Sequence, residues 1–332
     1  MEKGWKGLPY KTIAQHYDQI FGTKVYKIPV AVVDDCPNRM GLKGMETCAF
    51  CDVWGSAARS EAFSLELPVQ IQKYKTHIQK KFKAKKFLVY FQAYTNTFTK
   101  VSELEKNFNL ALETEDVVGF VIGTRPDCLS PAVLKLWEKF NQQAKVFVEL
   151  GVQSFFNDDL IFMKRGHSSE ASLEAIKKIN DNTSVDLGIH LIFGNPNENI
   201  ERIKKTAHIV NSLPITNVKL HNLHILKNTH LEKIFLKNEF SPIDLPLYCD
   251  YVGAFLSELS PKFALHRLSA FASRWDELIA PAWTADKMGT HQKIIDFLRE
   301  NQIFQGRDFI ASTPEEERLK SLLKLQASPV LI

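Results

Sequence analysis

The sequence predicts an α/β fold, either a partial (β/α)6 barrel of the TIM type or a doubly wound sheet, followed by a C-terminal extension. Six short segments predict the strands, because each is rich in β-branched or aromatic residues and is bounded by polar or turn residues. Amphipathic segments fill the gaps, and this alternation favours right-handed βαβ units in a parallel sheet. The six segments are Ile28–Val33, Phe87–Gln92, Val117–Gly123, Lys145–Val152, Val185–Phe193 and Asn217–His221.

Two of the helices carry a start signal. Ser102 and Glu105 have the spacing of a capping box, which predicts that Ser102 caps the helix that follows it. Ser130 followed by Pro131 predicts an N-cap and a proline in the first turn of the next helix.

The alternating pattern weakens after residue 240. Asp250–Leu259 and His291–Glu300 look helical, but prolines divide the region into short pieces. We therefore predict a barrel over residues 1–240, which includes the cysteine-containing loop 36–51. Residues 241–332 form an extension that packs on this barrel.

Three of the predicted strands carry polar residues on one face. Parallel strands are normally apolar on both faces, so these rows predict a lumen filled by a ligand, at the end of the barrel where active sites form. Polar residues that bond to each other within a core are the alternative. The rows are Glu149 with Gln153, Asp186 with His190, and Asn217 with Lys219 and His221.

Composition narrows the class of protein. The chain has 332 residues, of which 45% are hydrophobic and 24% charged, and its net charge of +4 permits an anionic partner without requiring one. Residues 1–11 lack the apolar core of a signal peptide, and no apolar run approaches the ~18 residues of a membrane span. We therefore expect a cytoplasmic protein without a membrane partner. Five cysteines in such a chain indicate metal binding or catalysis rather than disulfides.

Three of the cysteines form the strongest chemical signal. Eleven residues separate Cys36 from Cys48 and two separate Cys48 from Cys51, while Gly41 and Gly44 allow the loop between them to fold back. Thiolates are soft ligands that suit iron–sulfur clusters or zinc. Structural zinc sites and electron-transfer clusters generally use four ligands, so three favour a catalytic cluster with one open iron. A zinc site and plain structural cysteines remain the alternatives.

The cysteine motif is one of several motifs that each lie at the end of a predicted strand or in the turn after it. They are Cys36-Pro-Asn-Arg…Cys48-Ala-Phe-Cys51, Tyr90-Phe-Gln-Ala-Tyr-Thr-Asn-Thr97, Gly123-Thr-Arg-Pro-Asp-Cys128, Glu149-Leu-Gly-Val-Gln-Ser154, Lys164-Arg-Gly-His167, His190-Leu-Ile-Phe-Gly-Asn-Pro196 and Lys219-Leu-His-Asn-Leu-His224. Together they resemble the radical S-adenosylmethionine (radical SAM) superfamily, and within it the YhcC/YtqA-like subgroup related to the Elp3 radical SAM domain. The resemblance runs from about Lys11 to Pro281 and implies a partial (β/α)6 barrel of the radical SAM type.

The resemblance also implies a chemistry. A [4Fe–4S] cluster held by Cys36, Cys48 and Cys51 would bind S-adenosylmethionine at its open iron. An electron donor such as a flavodoxin or ferredoxin would supply one electron, and reductive cleavage would yield a 5′-deoxyadenosyl radical that abstracts a hydrogen atom from the substrate.

Roles for other residues follow from the same resemblance. The expected cofactor contacts are Phe50, Gln92, Tyr94, Glu149, Gln153, Arg165 and Asn195. Arg165 would pair with the cofactor carboxylate. The expected substrate contacts or proton carriers, which we class as catalytic, are His190, His221 and His224. Structural roles, such as a surface salt bridge for Arg165 or a satisfied core histidine, are the alternatives.

The same resemblance carries an expectation about the substrate. The relation to Elp3 implies tRNA as a partner and modification of the wobble uridine side chain, for example removal of a carboxymethyl group. Seven lysines between Lys73 and Lys86 are either a phosphate contact or a solvated helix face. Arg267-Leu-Ser-Ala-Phe271 departs from the Arg-Leu-Thr-Gly-Asp expected of relatives. The alternatives are a radical enzyme for a small metabolite or a protein side chain, and a non-catalytic metal-binding module.

Overall fold

The computed structural model describes residues 7–52, 65–272 and 275–327. The chain divides into two units. The N-terminal unit is Tyr17–Ile189, and the C-terminal unit combines Met1–His16 with His190–Ile332. No helix within the described ranges has the length and apolar character that crossing a membrane requires.

Strands and helices alternate along the described chain. The strands are β1 Val25–Val30, β2 Lys86–Phe91, β3 Val117–Thr124, β4 Lys145–Gln153, β5 Asp186–Phe193, β6 Asn217–Asn222, β7 Ile225–Leu226, β8 Ala264–Leu265 and β9 Leu278–Ala280. The helices are α1 Ile13–Phe21, α2 Leu67–Phe82, α3 Val101–Leu112, α4 Pro131–Asn141, α5 Asn157–Phe162, α6 Ser169–Asn182, α7 Ile200–Asn211, α8 His230–Leu236, α9 Leu245–Glu258, α10 Lys287–Glu300 and α11 Pro314–Ala327.

The strands of the N-terminal unit follow the chain order. β1, β2, β3 and β4 are neighbours in that order and all pair in parallel. In the C-terminal unit, β6 pairs in parallel with the short strand β8, and β7 pairs antiparallel with β9. Each of the six predicted strands is present, and the predicted α/β class is confirmed.

Strand β1 lies three residues earlier than predicted. The apolar run continues to Val33, but the ladder ends at Val30 because a side chain takes over the next peptide group. Gln70 of α2 accepts a hydrogen bond from Ala31 N at 2.9 Å and donates one to Ala31 O at 2.9 Å. Because the Gln70 side chain satisfies both polar groups of Ala31, the chain can leave the sheet at this point and enter the loop that carries the cysteines.

One of the two predicted helix starts is wrong. Helix α3 begins at Val101 with Lys100 as its N-cap, and no side chain caps it, so Ser102 already lies in the first turn. The other prediction is confirmed, because Ser130 Oγ accepts a hydrogen bond from Val133 N at 3.3 Å and Pro131 occupies the first turn of α4.

Aromatic side chains form the core between the sheet and helices α3 and α4 in the N-terminal unit. Phe108 of α3 stacks on Phe120 of β3 with ring centroids 4.8 Å apart. The ring centroid of Phe108 is also 5.4 Å from that of Phe91 and 5.3 Å from that of Phe140. Such pairs contribute about 0.5–1.5 kcal/mol each beyond simple burial. They fix the outer face of the strands whose carboxyl ends carry the predicted site.

The C-terminal unit packs residues from both sides of position 240 together. Asn211, at the end of α7, donates to Glu258 O at 2.8 Å and accepts from Ser260 N at 2.8 Å. Helix α9 begins at Leu245, earlier than predicted, because Asp244 caps it and Pro246 lies in the first turn, where proline is tolerated. The predicted boundary between barrel and extension at residue 240 stays a prediction.

Candidate active site

The loop with the three cysteines begins just after β1 and returns toward α5. Cys36 and Cys48 are buried, and Cys51 is partly exposed. Gly41 and Gly44 adopt left-handed backbone conformations, with φ of 64° and 77°. These are the positions at which the sequence predicted that the loop folds back, and glycine adopts this conformation at little cost.

The side chain of Asn38 holds this loop in place. Its Nδ2 donates to Glu46 O at 2.9 Å and to Lys164 O at 2.8 Å, and it lies 3.4 Å from Cys48 Sγ. A second anchor is the hydrogen bond from Ala49 N to Met163 O at 2.9 Å. The cysteine loop is therefore tied at both ends to the segment that follows α5.

Arg165 connects the segment that follows α5 to Cys48. Its Nη1 donates to Cys48 Sγ at 3.2 Å and its Nη2 donates to Gly151 O at 2.9 Å. The Arg165 carbonyl accepts from Arg125 Nη2 at 2.7 Å, and Arg125 forms a two-bond pair with Asp127 at 2.9 Å. The predicted fork of Arg165 thus contacts a cysteine and a backbone carbonyl, while its contact with a cofactor carboxylate stays a prediction.

The pKa of the Cys51 thiol is affected by the other two cysteines and by two nearby arginines. Burial, together with negative charge on Cys48 and Cys36, raises the pKa of Cys51 to about 12, although Arg39 and Arg165 act to lower it. Three thiolates in one place therefore need a compensating cation. The arginines supply part of that charge, and a bound metal group would supply the rest.

The residues fit a cluster better than a single metal ion. Among the described residues, no three His, Cys, Asp or Glu side chains are placed to share one ion, as structural zinc requires. An iron–sulfur cluster accepts a wider spacing of its thiolates than a single ion does, because each thiolate binds a different iron. The two side chains that contact Cys48 Sγ also each hold a buried polar atom, Arg165 Nε and Asn38 Oδ1, that has no hydrogen-bond partner within the described ranges.

Three further predicted cofactor residues lie close to this loop in the chain or in space. Phe50 lies between two of the cysteines, and its ring centroid is 5.9 Å from the Arg165 guanidinium carbon. Tyr94 has φ of 53°, an uncommon conformation for a residue with a side chain, and its ring lies 5.2 Å from the Arg39 guanidinium carbon. Gln92 follows β2, and its backbone N–H donates to Val30 O at 3.3 Å.

Glu149 and Gln153 lie on the polar face of β4, as predicted. The Glu149 carboxylate is buried, forms an ion pair with Lys27 and accepts a hydrogen bond from Tyr90 OH at 2.8 Å. Both of its oxygens therefore have protein partners, and its contact with a cofactor stays a prediction. Gln153 has φ of 71°, so a second predicted site residue has a strained backbone.

Asn195 lies in the C-terminal unit, just after β5. Its Nδ2 donates to Ile192 O at 3.0 Å and to Glu198 Oε1 at 3.1 Å, and its buried Oδ1 has no hydrogen-bond partner among the residues that the structure describes. Glu198 also accepts from the backbone N–H groups of Gly194 and Asn195. Glu198 therefore fixes the turn that positions Asn195.

The three predicted histidines also belong to the C-terminal unit. The rings of His221 and His224 lie 5.0 Å apart. His221 Nδ1 donates to Asn222 O at 2.6 Å, which leaves Nε2 as the proton-accepting nitrogen of the neutral ring. Burial and the charge of Arg267 lower the pKa of His224 to about 4, and the same causes, with His224 and His190, lower the pKa of His221 well below 6.5.

Sequence reasoning gave no role to several residues of the site. Asn38 and Arg125 each lie inside a quoted motif, so their positions carried a signal, but only the folded chain shows what they bond. Lys27 lies one position before the predicted strand Ile28–Val33, and its partner Glu149 is 122 positions away in the sequence.

Comparison with known proteins identifies the class of protein. Residues 32–210 match the family model of the radical SAM superfamily, and residues 215–300 match the model of the radical SAM C-terminal domain. The chain therefore belongs to the radical SAM superfamily, whose members are enzymes. Membership of this superfamily implies S-adenosylmethionine and a [4Fe–4S] cluster as cofactors. The predicted family is confirmed, and a non-catalytic module is not supported.

The more particular likeness is to YtqA and YhcC. The chain is 30% identical to YtqA of Bacillus subtilis (strain 168) over 300 residues, 90% of this chain and 92% of YtqA. It is 30% identical to YhcC of Escherichia coli (strain K12) over 284 residues, 85% of this chain and 90% of YhcC. A tRNA uridine(34) acetyltransferase of Methanocaldococcus infernus is 33% identical over 131 residues, 38% of this chain and 23% of that protein.

Among solved structures, Elp3 of Methanocaldococcus infernus has a similar fold. The TM-score is 0.65 at 18% identity, over 85% of this chain and 64% of that chain. The partial-barrel fold predicted from the sequence is thereby confirmed.

Proposed function

We propose that this radical SAM enzyme modifies the side chain of the wobble uridine in tRNA, for example by removing a carboxymethyl group. The observation that carries the substrate is the 33% identity, over 131 residues, to a protein named for its action on tRNA uridine(34). That segment is 38% of this chain, so it supports a shared substrate class rather than a shared reaction.

The site supports the chemistry of the superfamily. A bound [4Fe–4S] cluster supplies the electron that cleaves S-adenosylmethionine and so generates a radical able to take a hydrogen atom. In our proposal Cys36, Cys48 and Cys51 hold the cluster, and Asn38 and Arg165 hold the loop that carries these cysteines.

The cofactor contacts are proposed on the placement of their side chains. Phe50 lies between two proposed cluster ligands. Asn195 Oδ1 is a buried acceptor with no partner in the described part of the chain, and such an acceptor suits an amino group. Gln92, Tyr94, Glu149, Gln153 and Arg165 complete the proposed set. Tyr94 and Gln153 support it through their left-handed backbone, because strained residues cluster at functional sites.

The three histidines are proposed to contact the substrate or carry its protons. His221 is the best placed as a proton acceptor, because its Nδ1 hydrogen is committed to Asn222 O. His224 Nδ1 is buried without a hydrogen-bond partner in the described chain. The low pKa values of both residues keep them neutral near pH 7, as a proton acceptor must be.

The lysines between Lys73 and Lys86 do not support an approach of tRNA to this site. Four of them, Lys80, Lys81, Lys83 and Lys85, are exposed where α2 ends and β2 begins. The cysteine loop follows the opposite, carboxyl end of the parallel strand β1. Six-residue strands separate the two edges by about 20 Å.

The test is a mass measurement on tRNA. Anaerobically reconstituted protein is incubated with S-adenosylmethionine, dithionite in place of the flavodoxin or ferredoxin expected as electron donor, and tRNA that carries a carboxymethylated wobble uridine. Digestion and mass spectrometry should show a changed nucleoside at that position only, and the Cys48→Ala variant is the matched control. An unchanged wobble nucleoside, with S-adenosylmethionine nevertheless cleaved, would contradict the tRNA proposal and favour a metabolite or a protein side chain.

A further inference from the structure

The sulfur atom of Cys48 has surroundings unlike those of the other two cysteines. Arg165 Nη1 donates to it at 3.2 Å and Asn38 Nδ2 lies 3.4 Å away. Within the described ranges no side-chain donor reaches Cys36 or Cys51 in the same way, and the polar contact of Cys51 Sγ is with Asp52 O at 3.5 Å. One of the three ligands is thus singled out by hydrogen bonding.

Of the two donors, Arg165 makes the more direct contact. The Asn38 amide has two hydrogens and already donates to Glu46 O and Lys164 O, so its contact with Cys48 is a shared, weaker one. Arg165 directs a separate nitrogen at the sulfur and brings a full positive charge with it. Hydrogen bonds from charged donors are roughly twice as strong as neutral ones.

The fold fixes this guanidinium in place. Arg165 is 6% exposed, and its Nη2 is tied to Gly151 O in β4. Its own carbonyl is bonded by Arg125, which Asp127 orients through two hydrogen bonds. Such a preorganised donor costs no rearrangement when charge develops on the sulfur.

We propose that Arg165 is a positioning residue that raises the reduction potential of the cluster through its hydrogen bond to Cys48, with Asn38 as a weaker second donor. The inference rests on the cluster binding set out under Proposed function. Reduction adds one electron, taken from an external reductant, and no bond forms or breaks. The added charge is shared by the ligand sulfurs, so a cationic donor at Cys48 stabilises the reduced state more than the oxidised state.

The experiment is a potentiometric titration of the reconstituted protein with dithionite and redox mediators, followed by the electron paramagnetic resonance signal of the reduced cluster. Arg165→Met removes the donor and the charge and should shift the midpoint potential to a more negative value. Arg165→Lys keeps the charge and should recover part of the shift. Iron content near four per chain must be found for each variant before its potential is compared.

Arg39→Met is the matched control. Arg39 is also cationic and acts on Cys51, but it donates to Asp52 O at 3.0 Å rather than to a cysteine sulfur. Its removal should shift the potential less than Arg165→Met does. An equal or larger shift in the control, or an unchanged potential in Arg165→Met with a full cluster, would overturn the inference.

A second variant is used if Arg165→Met fails to assemble an iron–sulfur cluster. If Arg165→Met does not take up iron, Arg165→Gln replaces it, because an amide keeps a neutral donor and removes the charge. A negative shift is still expected, smaller than the loss of both donor and charge would give, and an unchanged potential refutes the inference. Wild-type protein without iron would instead remove the proposed function itself, so the two failures are distinguishable.

Discussion

Gly166→Ala should loosen the cysteine loop by displacing Met45. Gly166 has φ of 71°, and a Cβ built on it would lie 2.5 Å from Met45 Sδ and 3.0 Å from Met45 Cγ. The left-handed backbone alone costs an alanine about 1 kcal/mol. Overpacking adds about 1–2 kcal/mol, at the lower part of its usual range because the methionine side chain is flexible. We therefore expect a loss of roughly 2–3 kcal/mol in unfolding free energy.

Gly44→Ala separates the two contributions. Gly44 has φ of 77° and nothing within 4 Å of an added Cβ, so it should lose only the backbone part, about 1 kcal/mol. The assay is anaerobic urea unfolding of the metal-free variants, followed by iron content after reconstitution. Met45→Ala should remove the extra loss when combined with Gly166→Ala. Equal stability and equal iron content for the two single variants would refute the packing argument.

Three further predictions follow from the site and its surroundings. Charge reversal of Lys81 and Lys85 should leave modification of tRNA unchanged, because these residues lie at the edge of the sheet opposite the cysteine loop; a loss of activity would instead favour a phosphate contact at that edge. Glu149→Ala should destabilise the protein by roughly 3 kcal/mol in urea unfolding, because the Lys27 ammonium and the Tyr90 hydroxyl lose the carboxylate that they share, and a change below about 1 kcal/mol would be inconsistent with a buried ion pair. Since the folded pKa of His224 is lowered to about 4 from the ordinary value near 6.5, the unfolded chain binds more protons between these values and stability falls as pH drops. The fall attributable to His224 should be about 2 kcal/mol between pH 7 and pH 5, and His224→Gln should lack it.

Much of the N-terminal unit was predictable because its signals are local. The period of two in β4 placed Glu149 and Gln153 on one face, and the spacing of Cys36, Cys48 and Cys51 indicated both the loop and its chemistry. Gly41 and Gly44 have the left-handed conformations that a returning loop requires. These features depend on neighbours in the sequence, which a single sequence displays.

What could not be predicted depends on partners far apart in the chain. The end of β1 is set by Gln70, a side chain 39 positions from Ala31. Lys27 is a single charged residue just before the predicted strand Ile28–Val33, and its neighbours in the sequence give no sign of its pairing with Glu149. The capping box at Ser102 failed because Lys100 already supplies the first carbonyl of the helix, which accepts from Leu104 N at 3.2 Å.

In our proposal, the thiolates of Cys36, Cys48 and Cys51 hold a cluster at which S-adenosylmethionine is cleaved. The most direct measurement is the yield of 5′-deoxyadenosine from anaerobically reconstituted protein, S-adenosylmethionine and dithionite. We expect 5′-deoxyadenosine from the wild-type protein and none from variants with alanine at Cys36, Cys48 or Cys51. Wild-type protein that carries a full cluster and forms no 5′-deoxyadenosine, or an alanine variant that forms as much as wild type, would contradict it.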